Sequence, residues 1–108
     1  MAKVVRFYET GGPEVLRLED APVGEPGEGE VRVRHAAVGL NFADTYFRQG
    51  YYPVPLPNGM GVEASGVIEA VGSDVNGYQV GDRVTYTGSP LGAYSTERVM
   101  PTLSLIHI

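Results

Sequence analysis

Alternation of apolar and polar side chains is clearest from Glu30 to Val38, EVRVRHAAV, where Val31 and Val33 fall on one face and Arg32 and Arg34 on the other. That period of two predicts a half-buried strand. His35 shares the valine face, which predicts a partly buried, hydrogen-bonded histidine, since one histidine without companions makes a poor metal site. Upstream, Lys3 to Tyr8 is β-branched and aromatic and predicts another strand. Thr10-Gly11-Gly12-Pro13 breaks it, and Val15, Leu16 and Leu18 predict a partner strand, antiparallel because the connection is short. Pro22 to Gly29, PVGEPGEG, predicts a loop.

The pattern changes at Gly39 to Tyr52, GLNFADTYFRQGYY, which gathers an amide, a carboxylate, a guanidinium and several phenols in one short stretch. Asn41 is a suitable helix N-cap with Asp44 at N3, which predicts a short helix from Phe42 to about Gln49, stopped by Gly50. Asn41, Asp44 and Arg48 then lie roughly along one side, with Asp44 and Arg48 at ion-pair spacing, while Phe42, Tyr46 and Gln49 fall on another. Tyr51 to Pro57 holds three prolines and must be extended or turning.

Beyond the prolines, NGMGVEASGVIEAVG predicts a strand punctuated by Gly59, Gly61, Gly66 and Gly72. The glycine spacing superficially matches a dinucleotide fingerprint, but no helix pattern follows and Glu63 would aim a carboxylate at the phosphates. A bend in a barrel explains these glycines better. Ser73-Asp74, Asn76-Gly77 and Val80 to Val84 predict turns, and Val84–Thr87 and Gly92–Met100 the last strands. Many short strands, frequent turns and one short helix predict a mostly β fold, a small, partly open β-barrel.

Composition narrows the function. A chain of 108 residues holds one modest core, not that core and a dinucleotide-binding domain as well. Lys+Arg 8 against Asp+Glu 13, with the cations scattered and only Lys3 a lysine, argues against nucleic-acid or anionic-lipid partners. The absence of cysteine removes disulfides, thiolate nucleophiles and thiolate metal sites, and fits a reducing cytosol. The N-terminus MAKVVRFYE lacks a signal-peptide core and no run reaches membrane-spanning length, so the expected location is cytoplasmic.

Five collinear segments, FYETGGPEVL, GLNFADTYFRQGYYPVPLP, GMGVEASGVIEAVG, YQVGDRV and GAYSTE, closely resemble the N-terminal GroES-like domain of quinone oxidoreductases. These are the zeta-crystallin-like branch of the medium-chain dehydrogenase/reductase superfamily. The likeness covers about Val4 to Thr102, so residues 1–102 are expected to be the GroES-like domain. It implies a two-domain enzyme passing hydride from NADPH to quinones or other α,β-unsaturated carbonyls, with its cleft between this barrel and a C-terminal Rossmann domain. It implies further that Asn41 and Asp44 lie beside the nicotinamide, that Tyr46 and Tyr52 line the quinone pocket as donors and flat surfaces, and that complete relatives form homo-oligomers. Tyr51 is expected to be surface.

Zinc-dependent members place a catalytic cysteine where this chain has Asn41 and a histidine where it has Val62, beside Glu63. Glu63 alone cannot hold zinc, so no zinc is expected; it is expected to be a buried carboxylate bonded to backbone. Residues 103–108, LSLIHI, depart from the family pattern and are expected to be an atypical tail without a core to join, from a truncation. The 108 residues are accordingly expected to be inactive alone. The competing readings are an enoyl or enone reductase of the same superfamily and a non-catalytic GroES-like binding or structural module.

Overall fold

The computed structural model of the chain describes residues 1–88 and 90–108. Strand β1 (Ala2–Phe7) runs antiparallel to β2 (Leu16–Ala21), joined by the Gly-Gly-Pro break and a turn of 3₁₀ helix at Pro13–Val15. Strand β3 (Glu30–Val38) has the span its alternation predicts, and Val31 and Val33 are both fully buried. Helix α1 (Ala43–Gln49) follows and ends at Gly50, whose φ of 88° is the left-handed conformation that suits glycine.

The glycine-punctuated stretch is not one strand. It divides into β4 (Asn58–Gly59), which pairs with β1, and β5 (Glu63–Val71), which lies between β3 and β6 (Arg83–Thr87). The last predicted strand is likewise shorter, β7 being Glu97–Pro101. Ahead of it, residues 92–96 cross between the sheets: Tyr94 donates its N–H to Met60 O (2.8 Å), Val5 donates to Tyr94 O (2.9 Å), and Val4 bridges Ser95. A three-stranded sheet, β2-β1-β4, thus meets a five-stranded one, β7-β3-β5-β6-β8, with β8 at Ile106–His107. The result is the mostly β, partly open barrel, with one short α-helix among the described residues.

Two apolar clusters hold it together. Val31, Val33, Ile68, Val84 and Met100 fill the larger sheet's inner face, and Phe7, Val15 and Met60 lie under the smaller one. The tail corrects an expectation, because Leu105 is 7% exposed and joins the larger cluster. A 3₁₀ turn at Thr102–Ser104 redirects the chain so that β8 can pair with β6, and His107 stacks on Tyr78 at 4.3 Å. Leu103, Ile106 and Ile108 stay exposed.

Candidate active site

Helix α1 presents its polar residues in two places. Asp44 turns inward and is 3% exposed, although a carboxylate is seldom buried without partners. Its Oδ2 accepts the backbone N–H of Asn41 (3.0 Å) and the phenol of Tyr94 (2.5 Å). Burial, and then the bond to this negative carboxylate, push the Tyr94 phenol well above its ordinary pKa, so it stays a donor at neutral pH. Asn41 Nδ2 and Asp44 Oδ1 are left over here, buried and without a hydrogen-bond partner among the described residues.

Asn41 therefore does not cap the helix as its type suggests. The cap position is Phe42, with no side-chain cap bond, and Asp44 instead reaches back to the Asn41 N–H, the return half of a capping box. The Asp44–Arg48 pair is not formed either. Asp44 is committed to Tyr94, and Arg48 Nε donates to Gly11 O (3.1 Å), tying the end of α1 to the turn after β1.

Tyr46 lies two residues from Asp44, about 200° around the helix, and so on a different side. There it meets Tyr52 edge-on at 5.3 Å, Tyr51 at 5.7 Å and Phe42 at 5.4 Å, while Phe47 meets Tyr52 at 5.4 Å. The Tyr52 N–H donates to Tyr46 O (3.2 Å), which fixes the two residues relative to each other. Tyr46, Tyr51 and Tyr52 line one open cleft of about 380 Å³. The structure thus brings Tyr46 together with Tyr52 and Asn41 together with Asp44, while positions 44 and 46 face different sides of α1. Tyr51 is surface, at 76% exposed, yet it is also a wall of that cleft.

Glu63 is half-buried, not buried, and lines a second open cleft with Ala37, Gly39 and Ser65. Its carboxylate lies over Gly39, where a Cβ would meet Oε1 at 2.0 Å; among the described residues it bonds no backbone group. Also among the described residues, no three His, Cys, Asp or Glu side chains stand close enough to hold a metal ion, and no helix is long and apolar enough to cross a membrane.

Residues that sequence reasoning missed come from afar. Tyr94 is 50 positions from Asp44, and nothing in GAYSTE marks it as a partner. His35, in contrast, is the partly buried, bonded histidine its face predicts: Nδ1–H donates to Ser95 O (2.8 Å), leaving Nε2 to accept the Tyr86 hydroxyl (2.9 Å). Burial lowers the His35 pKa first, the Ser95 bond opposes that, and Arg98 lowers it further.

A neutral His35 makes a pH prediction. Its folded pKa lies below the unfolded value near 6.5, so the unfolded chain takes the proton first as pH falls. The His35 contribution is complete above about pH 6.5 and is lost below it, down to the depressed folded value. Thermal unfolding at stepped pH should show the loss, and His35→Gln should remove that step. A separate loss below about pH 3.8 should remain, because the Gln79 N–H, then His107, hold the Asp82 carboxyl low. An unchanged step in His35→Gln assigns it to another group.

The alcohol dehydrogenase GroES-like domain model matches residues 27–108. The quinone oxidoreductase of Pseudomonas aeruginosa is 54% identical over 109 residues, which are 100% of this chain and 34% of that protein. The 2-haloacrylate reductase of a Burkholderia species is 45% identical over 113 residues, 100% of this chain and 33% of that protein. The crystal structure of Escherichia coli quinone oxidoreductase complexed with NADPH superposes with a TM-score of 0.94 at 42% identity, over 98% of this chain and 33% of that one. The chain spans about a third of the length of these relatives. The resemblance of the five collinear segments is borne out, and the chain belongs to the alcohol dehydrogenase GroES-like domain family.

Proposed function

We propose that these residues form one wall of the active-site cleft of an NADPH-dependent oxidoreductase that reduces quinones or other α,β-unsaturated carbonyls, the other wall being a Rossmann domain. The observation that carries this reading is that the Asn41 Nδ2 donor and the Asp44 Oδ1 acceptor are both buried and without a partner among the described residues. A buried polar atom without a partner costs about 1–3 kcal/mol, which a bound ligand relieves by completing it. The nicotinamide carboxamide carries one acceptor oxygen and an NH₂ donor, the complement of that pair. Bound there, the nicotinamide supplies the hydride. Asn41 and Asp44 hold and orient it. Tyr46 and Tyr52 offer a flat aromatic flank to a ring and phenolic donors to a carbonyl oxygen as negative charge develops on it.

A purely structural module leaves the open donor and acceptor without a purpose. The enoate or enone reading is favoured by one finding, the 45% identity to a 2-haloacrylate reductase. Joining these residues to the remaining two thirds of the Pseudomonas aeruginosa quinone oxidoreductase and following NADPH oxidation with quinones, enones and 2-haloacrylates separates the two. Faster turnover of quinones supports the proposal, and faster turnover of haloacrylates selects the alternative. In the same protein, Tyr52→Phe should lower quinone turnover by roughly 100-fold, the effect of one lost donor to a developing oxyanion, with NADPH affinity within about twofold. Undiminished turnover removes Tyr52 from the donor role.

A further inference from the structure

The geometry points to Tyr94 as a positioning residue for Asp44: its phenol binds Oδ2 and so keeps Oδ1 as the acceptor left for a ligand. This rests on the reading that Asn41 and Asp44 hold the cofactor. A carboxylate at the end of one rotatable side chain has two equivalent oxygens, and a single bond from the Asn41 N–H (3.0 Å) leaves its orientation free to vary. The Tyr94 phenol, arriving from the segment between the sheets, gives the same oxygen a second donor. With Oδ2 taken twice, Oδ1 is the oxygen without a partner.

Tyr94 is itself held rigidly. Its N–H donates to Met60 O at 2.8 Å, and its carbonyl accepts from Val5 N at 2.9 Å, so its backbone is fastened to both neighbouring segments. Its ring occupies the space beside Gly61, where a Cβ would lie 2.4 Å from Tyr94 Cδ1. Gly61, at φ +97°, adopts a conformation that L side chains rarely take, so the missing side chain serves both the turn and the ring. One glycine of the GMG stretch thus connects, through Tyr94 and Asp44, to the segment carrying Asn41. Groups that touch a ligand work only when a supporting set of contacts fixes them to within about 0.5 Å.

The test uses the full-length protein formed with the Pseudomonas aeruginosa relative, carrying Tyr94→Phe, Asp44→Ala or both. Hydrogen exchange across residues 40–44 is followed without cofactor, NADPH affinity by fluorescence, and folding by thermal unfolding. Tyr94→Phe keeps the ring that fills the Gly61 space and should unfold within a few degrees of the parent. It should speed exchange at the Asn41 amide roughly tenfold and weaken NADPH binding roughly tenfold. In the Asp44→Ala background it should change neither by more than about twofold, because there is no carboxylate left to orient. A merely structural tyrosine would give the same effect in both backgrounds, and that result overturns the proposal. So does unchanged exchange at Asn41 in Tyr94→Phe. If exchange behaves as expected while neither substitution alters NADPH affinity, Tyr94 still positions Asp44 and it is the cofactor reading that falls.

Discussion

Gly66→Ala is expected to remove a large share of the chain's folding stability. Gly66 is buried in the middle of β5, opposite His35 of β3 and Val84 of β6. A Cβ there would stand 2.1 Å from Arg34 O, 2.9 Å from Arg34 C and 3.0 Å from His35 Cα. All three are backbone, and β3 cannot retreat because β7 pairs with it on the far side. A register shift lies next to this close approach, between His35 and Ala37. Overpacking commonly costs 1–3 kcal/mol when side chains can adjust; here nothing can, so we expect about 3 kcal/mol or more against a net stability on the order of 5–15 kcal/mol. Gly27→Ala is the control, since its Cβ would meet only the mobile end of Glu30, at 3.1 Å. Soluble yield and thermal unfolding compare the two; equal stability would mean that the strands do not approach as described.

Asp44→Ala should carry a large functional effect on both binding and turnover, a loss of roughly 100-fold in kcat/KM with NADPH and quinone in the full-length protein. The substitution removes the acceptor of two hydrogen bonds and strands the Tyr94 hydroxyl and the Asn41 N–H. Each stranded group costs about 1–3 kcal/mol if water cannot reach it. Asp44→Asn keeps an oxygen acceptor for Tyr94 and should fall between the alanine variant and the parent. Steady-state kinetics with a thermal-unfolding control tests this. A fall in kcat/KM explained wholly by unfolding, or none at all, removes Asp44 from the site.

Where one face of a strand is buried, the fold could be read from pattern alone. Glu30–Val38 is the clearest case, because alternation, the buried valines and the half-buried histidine all follow from period two. Gly50 stops α1 for a local reason too. What depended on distant residues could not be read. Asn41 reads as a cap because the residue type permits it, but the Asp44 N–H that a capping side chain would take donates to the Asn41 backbone carbonyl instead (3.0 Å). NGMGVEASGVIEAVG looked continuous, yet β4 and β5 join different sheets because Gly59 and Gly61 turn the chain against residues 92–94. LSLIHI lacked an evident core only because the core it meets is built from β3, β5 and β6. The candidate site divides similarly. Its residue types are local to Gly39–Tyr52, whereas Tyr94, which arranges them, is brought in by the barrel.

On the proposed function, these residues supply one side of a cofactor site and a second domain supplies the other. The seven-residue α1 is the one α-helix among the described residues, so they contain no strand, glycine-rich turn and helix to hold a pyrophosphate. The direct measurement is calorimetric titration of NADPH into the 108-residue chain and, in parallel, into the full-length protein. Micromolar binding is expected for the full-length protein, and none in that range for the 108 residues. Micromolar binding by the 108 residues alone would overturn the division of the site between two domains.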